Sequence, residues 1–582
     1  MGGATMRRVL VVGLFVGMSL LGVSFAECPS ADFSGNCFVD LEDFATLSAA
    51  WLSDDTPTPN WNPACDISDP SDGVIDELDL AILAADWLEK CTAFVTTKGT
   101  ATVVVASSTA PASVKKVADY VCDGTADNVQ IQAAITALAT YGGTVVLSDG
   151  TFNLIAALTL GNNLRLSGQG PATILKVVDD VQDIAITNTD RSGGNTDITL
   201  ENFTINGNKE NQDGPGSPAT YGDLYGIYIT KYSGSSGAGL GCVDFRNCTR
   251  VRISKVTIYD GFPSCLEMAP CNDSIITDCV MHDSGDDTIG VNVGCYDVTV
   301  ANNILYNAGV SAGGWFTTSS NGVEVQDGAH NISVVGNQIR DCTKAGVEVS
   351  SHEGGGVCYD VSITGNTIRD CDVYGVVVES ITDPASQHTE ISITGNTFWN
   401  VGTRTMEGIT LLGARYVTIC GNTFNSCEFA IKFTTSVDKP VNSDVTISGN
   451  IMLGVTTNSI RGIGFVGAGA GAFTNFIVAN NVFKDLNPSL YFYSSAANTL
   501  TITGLMITGN VMTTARANAD GITMLNADGT TITGSMFNNI IGYNGTGQWF
   551  EGPSGSLDPA DIGGTLNYGD NYLPDGSACP LS

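Results

Sequence analysis

The chain has 582 residues and carries 60 Asp and Glu against 25 Lys and Arg, a formal net charge of −35. No basic stripe exists to neutralise phosphates, which argues against a nucleic-acid partner. With 68 glycines and only 15% charged residues, the composition fits a long continuous core plus smaller modules.

Arg7 and Arg8 precede an apolar stretch from Val9 to Phe25, and Ser24-Phe25-Ala26 has the small residues that a signal peptidase reads. Residues 1–26 are therefore expected to be a signal peptide, and the mature chain to be secreted and extracellular. No other stretch is long and apolar enough to span a bilayer.

Residues 27–91 form an acidic doublet. In its first copy Asp32, Ser34, Asn36, Asp40 and Asp43 stand at positions 1, 3, 5, 9 and 12 of a loop, with the Phe38 carbonyl free for position 7. That is the ligand spacing of an EF-hand-type calcium loop leading into a helix. The second copy is two residues longer: Asp72, Asp76 and Asp79 match positions 5, 9 and 12, and Asp66 and Ser68 serve as 1 and 3 if the chain bulges near Asp69-Pro70. Each predicted helix ends in Trp-Leu, at Trp51 and Trp87, which suggests a pseudo-twofold pair of helices. Cys28, Cys37, Cys65 and Cys91 could form two disulfides, with three connectivities open. The segment resembles a type I dockerin, with Cys37 where that family has Gly at loop position 6. The resemblance implies a small all-α domain, Ca2+ in the loops, and a cohesin-like module as partner, tethering the chain to a scaffold or cell surface.

Residues 92–112 read as a linker or cap strand. Asp127 or Asn128 is placed to cap a helix through about Thr140, with Val129, Ile131, Ala134, Ile135 and Leu138 as its apolar face. Gly142-Gly143 ends it, and "TVVL" begins a run of coils expected over 113–575, before a tail of 576–582. The coils share a phrase, Ile-x-x-Gly-Asn plus an apolar residue, as in "VSITGNTI" and "VTICGNTF". Its second Asn falls at Asn303, Asn337, Asn366, Asn396, Asn422, Asn450, Asn481 and Asn510, at intervals of 26 to 34 residues. A period of that length built on alternating apolar residues means stacked coils, about twelve of them. Gly and Asn tolerate positive φ at the corner, and Asn repeated there can hydrogen-bond from coil to coil. A second phrase, Gly-(Ile/Val)-x-apolar, starts at Gly226, Gly322, Gly346, Gly375, Gly408, Gly462 and Gly521 and supplies another strand. Cys342, Cys371 and Cys427 recur in the coils and read as small buried hydrophobes.

The entry "DGTADNVQIQAAI…GGTV" and the coils together resemble the pectate lyase and polygalacturonase superfamily. That resemblance implies an all-β, right-handed parallel β-helix with an N-terminal capping helix. "VMHDSGDDTIGVN" further resembles the Gly-Asp-Asp-x-Ile motif of polygalacturonase-type glycoside hydrolases, implying catalytic roles for Asp286 and Asp287. Pro263-Ser264-Cys265 stands where that family has Asn-Thr-Asp, and its Gly-His-Gly and Arg-Ile-Lys motifs have no counterpart.

Aligning coils on Gly-Ile-x-Val puts Glu267, Gly290, Glu324 and Glu348 in one outward column. Carboxylates on neighbouring coils are then about 5–7 Å apart, and two coils apart about 9–10 Å, with Gly290 leaving room for a sugar. Stacked like charges should raise one pKa, as a general acid needs. Asp286, Asp287, Glu267 and Glu324 are the catalytic candidates; His282, Asp283, Lys344 and Glu348 are candidates for substrate contact. The expected function is a polysaccharide-degrading glycoside hydrolase. The alternatives are a calcium-dependent polysaccharide lyase, in which Lys344 or Arg340 acts at the uronate and calcium sits at the β-helix site, and a non-catalytic carbohydrate-binding rod. His330 and His352 read as lone surface-loop histidines.

Overall fold

The computed structural model describes residues 31, 33, 41–51, 62–67, 73–85, 101–213, 241–309, 319–352, 355–380, 387–400, 405–435, 442–454, 460–467, 472–494, 500–515, 521–525, 531–542, 550–552, 555–556, 566–574 and 576–577. The signal segment, Asp32, Ser34, Asn36, Phe38, Asp40, Ser68, Asp72, Trp87, Gly226 and Cys28, Cys37 and Cys91 lie outside them. The chain divides into one unit up to Ala101 and another from Thr102.

The first unit has helices Leu41–Ala49 and Glu77–Ala85. They share a core of Ala31, Leu47, Ala50, Cys65, Ile75 and Leu83, against which Phe33, Trp51, Ile67 and Leu80 pack. In the second acidic loop Asp66 accepts the Gly73 N–H at 3.0 Å, while Asp79 accepts those of Ile67 at 2.7 Å and Asp76 at 3.0 Å. Asp43 and Asp79, the last positions of the two loops, are both fully buried.

The second unit is a stack of parallel coils whose strands form three parallel ladders, the first, second and third sheets in coil order; the long strands Thr196–Asn206 and Thr249–Tyr259 run through both of the first two and join them. The coil Tyr359–Thr364, Thr367–Arg369, Tyr374–Glu379 shows the pattern, and every strand of it pairs in parallel with its counterparts before and after. Between the first two strands the chain turns at Gly365, with φ +66°, and Asn366. The corner glycines 336, 395, 421, 449 and 509 share that conformation, and Asn302, Asn480 and Asn538 adopt it where Gly is absent. Gly and Asn tolerate the left-handed region best and dominate this corner, although Lys255 and Asp278 hold it in two earlier coils.

The corner asparagines form the predicted ladder. Each side-chain amide donates to the Oδ1 of the next, from Asn303 through Asn337, Asn366, Asn396, Asn422, Asn450, Asn481 and Asn510 to Asn539 and Asn571, at 2.9–3.0 Å. Inward, Ile, Val, Leu and Phe of successive coils pile into one core, including the stacked pair Phe398–Phe424 and the column Phe433, Phe465, Phe492. Cys342, Cys371 and Cys427 are buried in it.

Among the described residues the third sheet runs from Leu158–Leu160 to Phe550–Gly552 and has fourteen parallel strands, with Gly555–Ser556 pairing antiparallel at its end. The expectation of about twelve coils was low because the earliest coils, around Leu158–Leu160 and Ile186–Asn188, lack the Gly-Asn phrase. At the usual strand spacing fourteen coils make a rod about 62 Å long.

Thr102–Ala106 pairs with Gly143–Leu147, so this strand belongs to the stack. The helix Asn128–Ala137 closes the open end, burying Ile131, Ala134 and Ile135, with Leu138 just beyond it. Gln132 accepts the Thr159 N–H at 2.9 Å and donates to the Thr159 carbonyl at 3.1 Å, satisfying a terminal strand that would otherwise offer a free edge. Two expectations are corrected here. Val129 is 58% exposed and not part of the buried face. Asp127 does not cap the helix: its carboxylate holds the N–H groups of Gly124 and Asn153, each at 2.7 Å, fixing the turn before the helix to the first coil.

The glycines that open the third-sheet strands are needed for close approach. A Cβ on Gly408 would lie 2.5 Å from both the Ala430 carbonyl oxygen and the Phe424 ring. Gly408→Ala should therefore cost about 1–3 kcal/mol in urea unfolding, since the ring is locked in its stack.

Candidate active site

The third sheet positions the acidic residues. Its alternation sends Leu266, Ile289, Val323 and Val347 into the core, so the residue after each faces out. The ladder register then stacks Asp244, Glu267, Gly290, Glu324 and Glu348 in consecutive coils, followed by Val377, Thr410 and Lys432. Asp286 and Asp287 lie in the turn before Ile289–Val291, and the next coil holds them. Ser320 Oγ donates to Asp286 at 3.0 Å, and the Asn321 N–H to Asp287 at 2.5 Å. Two asparagine amides lie among the acids. Asn292 donates to Glu267 at 2.7 Å and Glu324 at 3.3 Å, and Asn321 to Glu348 at 2.7 Å. Cations stand at the two ends: Arg246 on Asp244, at 2.5 and 2.8 Å, and Lys344 on Glu348 at 2.5 Å.

This geometry corrects two expectations. Glu267 and Glu324 are two coils apart, yet both accept from one amide, so their oxygens lie no more than about 6 Å apart. Nor does Gly290 leave room for a sugar. A Cβ there would fall 1.8 Å from Glu267 Oε2, because the Glu267 side chain leans over the glycine and occupies that space.

Burial separates the acids into two groups. Glu267, Asp287 and Glu348 are 1%, 5% and 3% exposed, whereas Asp286 and Glu324 are half-buried and reach solvent. Burial holds Glu267 well above the usual carboxylate range, with Arg246 opposing and Glu324 adding to the effect. Asp287 is raised likewise by burial, then by Glu324 and Asp286. Burial, opposed by the Ser320 hydrogen bond and reinforced by Glu348, lifts Asp286 to about 6. Burial together with Glu348 and Asp286 pushes Glu324 up to about 8. Glu267 Oε2 and the side-chain oxygens of Asn292 and Asn321 are buried without a hydrogen-bond partner in the protein, so unmet polar capacity gathers at this one place.

A family model described as "Right handed beta helix region" matches residues 184–357, 239–404 and 356–537. The chain belongs to the right-handed β-helix family. No curated protein matches it. Among solved structures it is similar to the mannuronan C-5 epimerase AlgE6 A-module of Azotobacter vinelandii, at 18% identity over 66% of this chain and 95% of that one, with a TM-score of 0.49. It is also similar to the tailspike protein of E. coli bacteriophage HK620 in complex with pentasaccharide, at 12% identity over 77% of each chain and a TM-score of 0.47. A third is the catalytic unit of the GH87 alpha-1,3-glucanase from Streptomyces thermodiastaticus strain HF3-3, at 17% identity over 67% of each chain and a TM-score of 0.44.

Not all the predicted site residues of this β-helix meet at the column. His282 ends a second-sheet strand, its ring stacked between Tyr259 at 5.6 Å and Tyr306 at 4.5 Å. Asp283 contacts His282 Nδ1 at 2.6 Å and accepts from Asn307 at 2.8 Å. Burial works against its charge, but those two partners outweigh it and hold its pKa below the usual range. Arg340 covers the Tyr306 ring at 4.0 Å and pairs with Asp341 at 2.7 Å, so it belongs to this second-sheet ladder. His352 is a surface side chain, 67% exposed and paired with Asp327. His330 is not a lone loop residue: it opens the strand His330–Val335 and stacks between Tyr296 and Tyr359.

Sequence reasoning missed Asp244, Arg246, Asn292, Ser320 and Asn321. Asp244 was within reach, because "VDF" in "GCVDF" carries the same apolar-acid-apolar pattern as "VEV" in "GVEV". The asparagines gave no signal, since each acts across coils on a residue 25 or more positions away. Among the described residues no three His, Cys, Asp or Glu side chains converge to hold a metal ion, and no helix is long and apolar enough to cross a membrane.

Proposed function

We propose that this is a secreted carbohydrate-active β-helix protein that hydrolyses polysaccharide at the acidic column of its third sheet. The observation that carries the reading is the pair Asp286 and Glu324, the two solvent-reaching members of a buried carboxylate cluster. At neutral pH their environments leave Asp286 ionised and Glu324 protonated. Two carboxyls pushed apart in this way divide the work of glycoside hydrolysis. Glu324 donates its proton to the leaving glycosidic oxygen. As that bond breaks, a water adds to the anomeric carbon and gives a proton to ionised Asp286, whose negative charge also stabilises the oxocarbenium-like transition state; proton exchange with solvent then restores both carboxyls. Burial raises Glu267 and Asp287 well above the usual carboxylate range and so disfavours further charge in the cluster, and Lys344 balances Glu348.

Lys344 weakens the lyase alternative. Burial disfavours its charge, but Glu348 and Glu379 more than offset that and raise its pKa, so it is a poor base for proton abstraction. The test is a polysaccharide panel read for reducing ends and for unsaturated products. Reducing ends alone, absent in the Asp286→Ala/Asp287→Ala protein, are expected. Unsaturated ends would establish the lyase, and silence across the panel would favour the binding rod.

The first unit is proposed as a calcium-binding tether for a cohesin-like partner. Its support is the acidic spacing and the complete burial of Asp43 and Asp79, the final residues of both loops. Calcium should raise the first thermal transition of the full chain and a chelator should lower it, with Asp79→Ala abolishing the response. A transition indifferent to calcium would remove the proposal.

A further inference from the structure

The first sheet carries a feature that the acidic column does not use. Tyr296, His330 and Tyr359 open consecutive strands and share one outward register. Their rings stack at 5.4 and 4.6 Å, nearly parallel at 13° and 12°. Two contacts fix the stack: Asn272 donates to the Tyr296 hydroxyl at 2.6 Å, and His330 Nδ1 donates to the Gly328 carbonyl at 3.1 Å. It ends at Tyr359, whose register partner on the following coil is Thr389, so no further ring covers it. Tyr296 and Tyr359 remain 40% and 37% exposed.

Beside the stack runs an open groove of about 630 Å³, lined further by Asp360, Ser362, Glu390 and Ser392. That volume is in the range of small-ligand sites. Asp360 and Glu390 sit at positive φ, 52° and 59°, near the start of their strands. An aromatic platform fixed in advance loses little entropy on contact. Around it the carboxylates only accept hydrogen bonds and the serine hydroxyls both donate and accept. A pyranose complements this arrangement, with an apolar C–H face for the ring and hydroxyl donors for the carboxylates. The acidic lining repels polyuronates and other polyanions.

We infer that this groove is a second glycan-binding site, taking a neutral sugar unit of a polysaccharide chain on the first sheet, separate from the acidic column. The inference rests on the proposed function for the polymer class and not for the contacts.

The test is affinity electrophoresis of the full chain, carrying Glu324→Gln to prevent cleavage, in native gels containing arabinoxylan, galactomannan or hydroxyethyl cellulose, with polygalacturonate as the anionic control. Retardation by at least one neutral polymer is expected. It should weaken at least tenfold in Tyr359→Ala and in Ser392→Trp, which fills the groove without touching the stack, and survive in Tyr359→Phe. No retardation by any neutral polymer, or equal retardation of parent and Ser392→Trp protein, would overturn the site. Hydrolysis of short oligosaccharides by Ser392→Trp protein with Glu324 intact should equal the parent's. A failed gel therefore leaves the hydrolase reading standing, and a failed hydrolysis assay leaves the gel result standing.

Discussion

Glu324→Gln is expected to lower kcat on polysaccharide by at least about 10²-fold, the usual scale for loss of a positioned general acid. The amide keeps the size and the Asn292 contact region of the glutamate but has no proton to give. In the parent protein kcat/KM should follow a bell, with an acid limb near 6 from Asp286 and an alkaline limb near 8 from Glu324. Asp286→Asn should remove activity together with the acid limb. The same shifts predict stability with the opposite sense. A carboxyl whose folded pKa is raised binds more protons folded than unfolded, so its stabilisation is complete below the unfolded value of about 4.3 and is lost as pH rises. For Glu324 that loss extends to about 8. Melting temperature should therefore fall between pH 5 and 8 in the parent, and fall less steeply in Glu324→Gln, which is permanently neutral. A variant that is inactive yet no less stable at pH 8 separates a chemical role from a structural one. An active Glu324→Gln protein, or a flat pH profile, would remove Glu324 as the acid.

The fold was legible because its determinants are local and repeated. Gly365 and Asn366 announce a corner by their tolerance of unusual φ, and the alternation of the strands that follow fixes which side chains enter the core. The register of the column was legible for the same reason: Glu267, Glu324 and Glu348 each stand between two apolar residues, in "CLEM" and in the two "GVEV" phrases. What the sequence hid is the direction in which long side chains lean. Gly290 reads as space, and the space is filled by Glu267 from the coil below. The separation of two carboxylates read from coil spacing was too long because Asn292 draws Glu267 and Glu324 together. His330 read as a loop residue because its stacking partners Tyr296 and Tyr359 are 34 and 29 positions away, each isolated in its own coil. The dockerin resemblance rests on ligand spacing, much of which falls on residues outside those the structure describes.

The largest stability loss is expected at the middle of the asparagine ladder, in Asn422→Ala. Asn422 Oδ1 accepts both the backbone N–H of Asn396, at 2.8 Å, and its side-chain amide, at 3.0 Å. Asn422 Nδ2 donates to the Ile393 carbonyl at 2.8 Å and to Asn450 Oδ1 at 3.0 Å. Alanine leaves the Asn396 backbone N–H and side-chain amide without their shared acceptor, and removes one donor from the Ile393 carbonyl and one from Asn450 Oδ1, which keeps the Asn422 backbone N–H at 2.9 Å. Each orphaned group costs about 1–3 kcal/mol, and partial relaxation of the corner gives an expected total of about 3–5 kcal/mol. Because a coil touches only its neighbours, the deficit falls on the interfaces with the coils carrying Asn396 and Asn450 and does not spread evenly along the rod. Hydrogen exchange should register this as lost protection in the strands from Thr397–Trp399 to Ile451–Leu453, with the coils near Asn510 unchanged. Asn422→Asp tests whether the amide matters beyond its shape. It keeps the acceptor for Asn396 but places a carboxylate against the Ile393 carbonyl and Asn450 Oδ1, so it should be as destabilising as alanine at neutral pH and recover as the pH falls toward 4. A loss below about 1 kcal/mol for Asn422→Ala would mean that core packing alone holds the corner and that the ladder follows the coils rather than fixing them.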